Sequence, residues 1–383
     1  MLSLPDEVLE RVIQHLEESS GCASLSDLAV VSSRISRAVI AYRLRRPVLC
    51  SSAAVGRYLE QRAASARDAQ ALTIAKGTTS RTQKVKVGRT STFREVEDSV
   101  TEDDVVKLCQ MNPNLVAVEI VQPEFSSLRR RQISFASSLV HLRSLTIIGR
   151  SSTSGFNFST IGQIASTLPR LSHLSLGNLH SSPTSLAGIP RPSFHLSTFV
   201  LFTPAPFLSP SQLSWLLASS TESESLQTLK FHLPCSVLPY KLHSVYWSPI
   251  RVTSLYLSSR NARAIEAMPV HCPHLERFEF AADSSAPPRV DARALLANAR
   301  RYGRLREIRD HTTDLSNGID LRSLAEGLLL YRKKLRIERV TIRTGRRGED
   351  GFREAEEVCR ILEIAFVVRD EAGPERRGGF EAF

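Results

Sequence analysis

Cys272-Pro273-His274-Leu275-Glu276-Arg277-Phe278-Glu279-Phe280 sets apolar residues at Leu275, Phe278 and Phe280, the spacing Φ-x-x-Φ-x-Φ (Φ apolar), with charged residues between them. Alternation of this kind predicts a short strand that turns Phe278 and Phe280 to one side and Arg277 and Glu279 to the other. The spacing recurs as Leu115/Val118/Ile120, Leu142/Leu145/Ile147, Leu171/Leu174/Leu176, Leu196/Phe199/Leu201, Leu226/Leu229/Phe231 and Val252/Leu255/Leu257, with weaker copies at Leu305/Ile308 and Ile337/Val340/Ile342. Their first positions lie 23 to 32 residues apart. Chance alternation does not keep such a period, so the chain from about residue 99 reads as a repeat in which each unit buries its apolar side against the next.

Helical patterns fill the spaces between strands: Asp104 to Cys109, Ile161 to Leu168, Pro210 to Leu217, Asp291 to Ala299 and Leu321 to Tyr331. In the second, Ile161, Ile164, Ala165 and Leu168 share one helical face. Strand plus helix at this period resembles leucine-rich repeats of the longer, helix-containing type, and Cys272-Pro273-His274-Leu275 is similar to their C-P-x-L variant. The resemblance implies a curved solenoid with a parallel sheet lining its concave face. Glu354 to Leu362 and the alternating Ile364/Phe366/Val368 suit a terminal cap.

The first residues carry a different pattern. Leu4-Pro5-Asp6-Glu7-Val8-Leu9 opens a helix with proline in the first turn and acids near the positive end of its dipole, followed by Val12, Ile13 and Leu16 at helical spacing. Ser24 with Asp27 caps a second short helix, and Ser32 or Ser33 a third. Leu4, Pro5, Glu7, Val8, Leu9, Val12, Leu16, Leu28, Val31, Ser32 and Ala38 stand where the F-box pattern has its characteristic residues, so residues 4–47 resemble an F-box. Ile35 replaces the usual aromatic, and the tryptophan often found near Pro47 to Leu49 is missing.

The two resemblances imply an α/β protein, an N-terminal three-helix F-box followed by an irregular leucine-rich-repeat solenoid. The expected plan is F-box 1–50, helical linker and degenerate first strand (Leu72, Ile74) 51–75, flexible insertion 76–98, solenoid with cap 99–369, and a disordered Gly/Pro/charged tail 370–383. They further imply a substrate receptor of an SCF ubiquitin ligase. Leu4, Pro5, Glu7, Val8, Leu9, Val12, Leu16, Leu28 and Val31 would hold a Skp-family adaptor and through it a cullin, and the repeats would hold a protein client. The alternative is an interaction scaffold of the same fold without a ligase.

Composition narrows the other classes. The 383 residues are 42% apolar and 23% charged, as in ordinary globular proteins, and no apolar run approaches membrane-span length. Six dispersed cysteines without a C-x-x-C pair, and an acidic start in place of a basic-then-apolar leader, point to a reducing compartment, cytosol or nucleus. Nucleotide-loop, zincin and nucleophile-elbow motifs are absent, and His271-Cys272-Pro273-His274 has no second ligand pair at zinc spacing. No catalytic residue, metal site or cofactor is assigned.

Charge is the more informative signal. The net charge is +11, and residues 291–347 hold 15 Lys and Arg against 7 Asp and Glu. Between the apolar strand positions stand Arg277, Arg309, Arg339 and Arg343, with Arg306 nearby, where earlier copies carry Ala117, Ser144, Thr146, His173, Ser175 and Thr198. Guanidinium forks pair bidentately with carboxylate or phosphate, so these five arginines are the candidate site for an acidic or phosphorylated client. A solvated basic surface is the competing reading. Nucleic acid fits less well, because few aromatics stand among the basic residues.

Overall fold

The computed structural model describes residues 6–20, 32–65, 69–75, 80–87, 90–97, 99–121, 139–149, 156–180, 190–202, 210–232, 252–259, 262–282, 289–301, 303–312 and 318–369. It is an α/β protein built on parallel strands, in two compact units that divide between Phe156 and Asn157, the second running to Gly373. The division falls inside the segment expected as a single array.

The first unit starts with helices Asp6–Ser20 and Ser33–Arg45, the second capped by the Ser32 hydroxyl, which accepts from the Ile35 amide at 3.2 Å. Leu9, Ile13, Val39 and Tyr42 form their shared core, with Leu16, Ile35 and Ala38 against it. Val48–Leu49 (β1) then pairs with Ala71–Ala75 (β2), followed by Ala117–Val121 (β5) and Ser144–Ile148 (β6), all parallel and neighbouring in chain order. The sheet thus begins one strand earlier than the sequence suggested, within residues assigned to the F-box. Two residues at Val48 and Leu49 are too short for a legible alternation.

Helix Ser52–Ser65 precedes β2, and helix Glu102–Met111 starts from a capping box of Thr101 and Asp104. Buried Asn112 ties this region together: its Oδ1 accepts from the Ala69 amide and the Tyr58 hydroxyl, and its Nδ2 donates to the Leu108 carbonyl. Within the span expected as an insertion without regular structure, Ser80–Val87 (β3) and Thr90–Glu97 (β4) pair antiparallel, Ser80 opposite Glu97 through Val87 opposite Thr90. The pairing joins backbone groups, which needs no apolar face, so no periodicity announced it.

In the second unit, after the short Phe156–Asn157 (β7), eight strands neighbour one another in chain order: His173–Gly177 (β8), Thr198–Phe202 (β10), Thr228–His232 (β11), Ser254–Ser259 (β12), Arg277–Ala282 (β13), Glu307–Asp310 (β14), Arg339–Arg343 (β15) and Ala365–Arg369 (β16). Leu179–His180 (β9) is a further short strand. The register aligns the repeat positions, so that Leu174, Phe199, Leu229, Leu255, Phe278, Ile308 and Val340 form one lateral row, each at most 1% exposed. Each such side chain contributes about 1.5–3 kcal/mol of burial. Helices Ala262–Ala267, Ala292–Ala299, Leu321–Tyr331 and Phe352–Ile361 pack side by side in the same order. Asp291 and Asp320 cap two of them. The 3₁₀ turn Met268–His271 brings the chain to Cys272, whose buried thiol is pushed up to about 12 by desolvation and stays protonated at neutral pH.

One row position is not apolar. Asp310 stands where the other strands carry Leu, Phe or Ile, and it is 4% exposed. Arg346, 1% exposed, donates to its Oδ2 at 2.6 Å, to both oxygens of Glu349 and to the Ile319 carbonyl. The amides of Thr312 and Ile319 complete Asp310. A Cβ on Gly318 would lie 2.6 Å from both Arg346 Nη1 and Asp310 Oδ2, so only glycine fits there.

A buried ion that loses its partner costs about 3–5 kcal/mol. Arg346→Met is therefore expected to lower urea-unfolding stability of the second unit by that amount, and Arg346→Met with Asp310→Leu to recover most of it.

Candidate functional site

The positions between the apolar rows face away from the core, and in β11 to β15 they carry most of the charge. Glu307 lies between Arg277 of β13 and Arg339 of β15 in one lateral row, with Arg309 two residues along its own strand. Arg277 Nε donates to Glu307 at 2.6 Å, Arg309 Nε donates to its other oxygen at 2.8 Å, and Arg339 Nη1 approaches to 3.8 Å. In the next row Glu279 accepts from His311 Nε2 at 2.9 Å and lies 3.6 Å from Arg309 Nη1. The Tyr256 ring lies beside that of His311, centroids 5.9 Å apart.

The sheet dictates this checkerboard. Parallel pairing in register sets side chains of neighbouring strands side by side on one face, where like charges repel, and alternating Arg and Glu removes the repulsion. Burial pushes both carboxyls up, but the cations outweigh it. His311, Arg309 and Lys230 hold Glu279 below its ordinary 4.5, and Arg309 and Arg277 do the same for Glu307. On β8, His173 is held below its ordinary 6.5 by burial and then by the charge of Lys230.

The client-site arginines therefore do not form one bare basic surface. Arg277, Arg309 and Arg339 converge on Glu307, while Arg306 pairs with Glu338 at 2.8 Å in a separate, exposed bridge. Arg343 makes no ion pair among the described residues. Lys230 was missed, standing alone in an otherwise uncharged copy, and so were the carboxylates. Alternation puts Glu279 on the face of Arg277, and only the register shows that Glu307 stands between Arg277 and Arg339 and Glu279 beside Arg309. Five cations (Lys230, Arg277, Arg309, Arg339, Arg343) nevertheless outnumber two carboxylates on the face.

The adaptor residues fall into separate groups. Val8 and Val12 are each 41% exposed, one turn apart on the outer side of helix Asp6–Ser20, whereas Leu9 is buried and Leu16 packs on the same core. Leu9 and Leu16 thus belong to the helix pair's own interior, because a helix that packs on a second one must turn one apolar stripe inward. Leu4, Pro5, Leu28, Val31 and the Glu7 side chain lie outside the described residues, as does the second expected helix. His274 is bonded to Arg304 at 2.8 Å, and among the described residues no group of His, Cys, Asp or Glu is arranged to hold a metal. No described helix is long and apolar enough to cross a membrane.

No protein-family model matches the chain, and no curated protein matches it.

The lowered titrations set a pH dependence. A carboxyl whose folded value is depressed stabilises fully above its unfolded value and loses that contribution as pH falls through the folded one; a depressed histidine likewise weakens the fold once pH falls below its unfolded value. Urea midpoints should decline slightly from pH 6.5 and steeply below 4.5. Glu307→Gln should lower the midpoint at pH 7 and flatten the acid limb.

Proposed function

We propose that the chain is a non-catalytic receptor subunit of an SCF-type ubiquitin ligase, its N-terminal helices an F-box that docks on a Skp-family adaptor and its strand array an irregular leucine-rich-repeat solenoid that holds a protein client. The observation that carries the reading is the two-sided helix Asp6–Ser20. Leu9 and Ile13 are used inside the protein, while Val8 and Val12, both at positions that resemble the F-box pattern, remain exposed with Arg11 and His15 around them. An apolar pair kept on the outside of a helix fits a partner's groove. Strands that follow one another in chain order, with repeat positions in lateral register, support the solenoid. Its work would be proximity, bringing a client next to the ubiquitin-charged enzyme that commits it to proteasomal degradation.

Co-purification from a eukaryotic host tests this. The intact chain is expected to carry a Skp-family adaptor and a cullin, and Val8→Asp with Val12→Asp to lose at least about tenfold of the adaptor with an unchanged melting temperature. Leu9→Ala should instead destabilise the helix pair by about 2–5 kcal/mol. An adaptor-free preparation that still holds a stable partner favours the scaffold.

A further inference from the structure

Away from the sheet face, cations also gather where the last helices of the second unit end and turn back toward the strands. Residues 300–306 hold four arginines, and residues 332–336 hold two arginines and two lysines, with no acid in either stretch. Three carboxylates, Glu276, Glu338 and Glu363, stand at the helix-to-strand turns on this rim, which leaves a surplus of five positive charges. On the bodies of the same helices the charges pair off, Arg293 with Glu326, Arg322 with Glu354 and Arg360 with Glu357. The two basic turns touch. Arg300 lies over the Tyr331 ring, 5.1 Å from its centroid, and a Cβ on Gly303 would lie 3.1 Å from the Lys334 carbonyl oxygen.

Apolar side chains are held out at the same end. Leu330 and Ile361 are 63% and 60% exposed, the most exposed large apolar residues among those described, and Leu329 is 43% exposed. Arg322 and Glu354 meet across helices Leu321–Tyr331 and Phe352–Ile361 at 4.0 Å, and Leu329 and Ile361 each follow their own member of that pair by two helical turns. They therefore flank one seam, with Leu330 next to it and the exposed Arg332, Lys333 and Lys334 directly after. A favourable interaction with the helix dipole accounts for cations at a helix end. It does not account for aliphatic side chains kept in water among them.

We propose that this rim docks on an anionic lipid bilayer, with Leu329, Leu330 and Ile361 entering the headgroup layer and the cations of residues 300–306 and 332–336 meeting its negative charges. Both halves of the patch are needed for such a surface: clustered Lys and Arg are drawn to an anionic leaflet, and aliphatic side chains gain by leaving water at the boundary of the acyl chains. A nucleic acid would use the cations and not the aliphatic groups, and Tyr331, the ring on which a base could stack, lies under Arg300. An acidic peptide would need one short stretch of charge, whereas these cations spread over the ends of adjacent helices, about 8–10 Å apart. The proposal goes beyond the receptor reading and does not depend on it.

Co-sedimentation of the purified full chain with vesicles tests the rim. Vesicles of equal parts phosphatidylcholine and phosphatidylserine should capture the chain at least about tenfold better than phosphatidylcholine alone, and less well as salt is raised. Lys333→Gln with Lys334→Gln should lose on the order of twenty-fold, and Leu329→Ser with Leu330→Ser at least about tenfold. Arg293→Gln, which removes a cation two turns back from the rim, should change nothing. Unchanged melting temperatures show that the variants are folded, and the emission of Leu330→Trp should shift to the blue on the mixed vesicles. Equal capture by phosphatidylcholine alone, absence of capture, indifference to either paired substitution, or tighter binding of labelled oligothymidylate or polyglutamate than of the mixed vesicles overturns the proposal. Neither adaptor nor client is in the assay, so its result leaves the ligase reading to the co-purification.

Discussion

Backbone hydrogen bonds tie the eight main-sheet strands of the second unit, β8 and β10 to β16, each to the next of them in the chain, and much else follows from that one-dimensional linkage. The apolar residues of β8 to β15 are covered because the register sets Leu174, Phe199, Leu229, Leu255, Phe278, Ile308 and Val340 next to one another, with the buried sides of the helices above them. A strand out of step by one residue would send its apolar row to the opposite face and its charges into the core. The same linkage shows at the end of the row. Phe366 and Val368 of β16, with a strand on one side only among the described residues, are half-buried where the inner positions are closed.

Asp310 is the exception that the linkage tolerates. A carboxylate in the apolar row would be severely destabilising alone, yet every hydrogen bond it needs comes from groups delivered by the chain that follows it: the amides of Thr312 and Ile319 and the guanidinium of Arg346. Arg346 is in turn held by Glu349, which also lies 3.4 Å from Arg289. Such a cluster does little for net stability compared with an apolar core. It does fix how Asp310, Arg346 and Glu349 meet, since any other arrangement of the three leaves ions buried without partners. β14, which carries Glu307 and Arg309, ends at Asp310, and β15, which carries Arg339 and Thr341, lies between Asp310 and Arg346, so the buried ions and the charged face are built by neighbouring stretches of chain.

On the outward face the same register becomes electrostatics. Alternating Arg and Glu at lateral distances of one strand spacing lets five cations stand close together without mutual repulsion dominating, and it leaves a positive excess at the surface and not beneath it. The N-terminal helix pair solves a simpler problem in its own unit. One stripe of helix Asp6–Ser20 closes on Val39 and Tyr42, and the residues left over, Val8 and Val12, remain available.

Much of this was legible in the residues. The Φ-x-x-Φ-x-Φ spacing marked the strands from Ala117 onward because alternation is a local property, and the helices at Asp291 and Leu321 were visible as helical patterns between the strands. Concentration of arginine toward the end of the chain was a matter of counting. Lateral relations were not legible: that Glu307 would sit between Arg277 and Arg339, that Thr341 would lie beside Arg309 with a buried hydroxyl, or that Asp310 would find Arg346 across 36 residues. Nor could spacing divide Leu9 from Val8, since both fall on one broad apolar face until a second helix chooses which stripe to cover. Periodicity along the chain determines which elements form and which side of each is apolar. Who stands beside whom depends on register and on the partner each face meets, and those are decided only when the strands and helices are assembled.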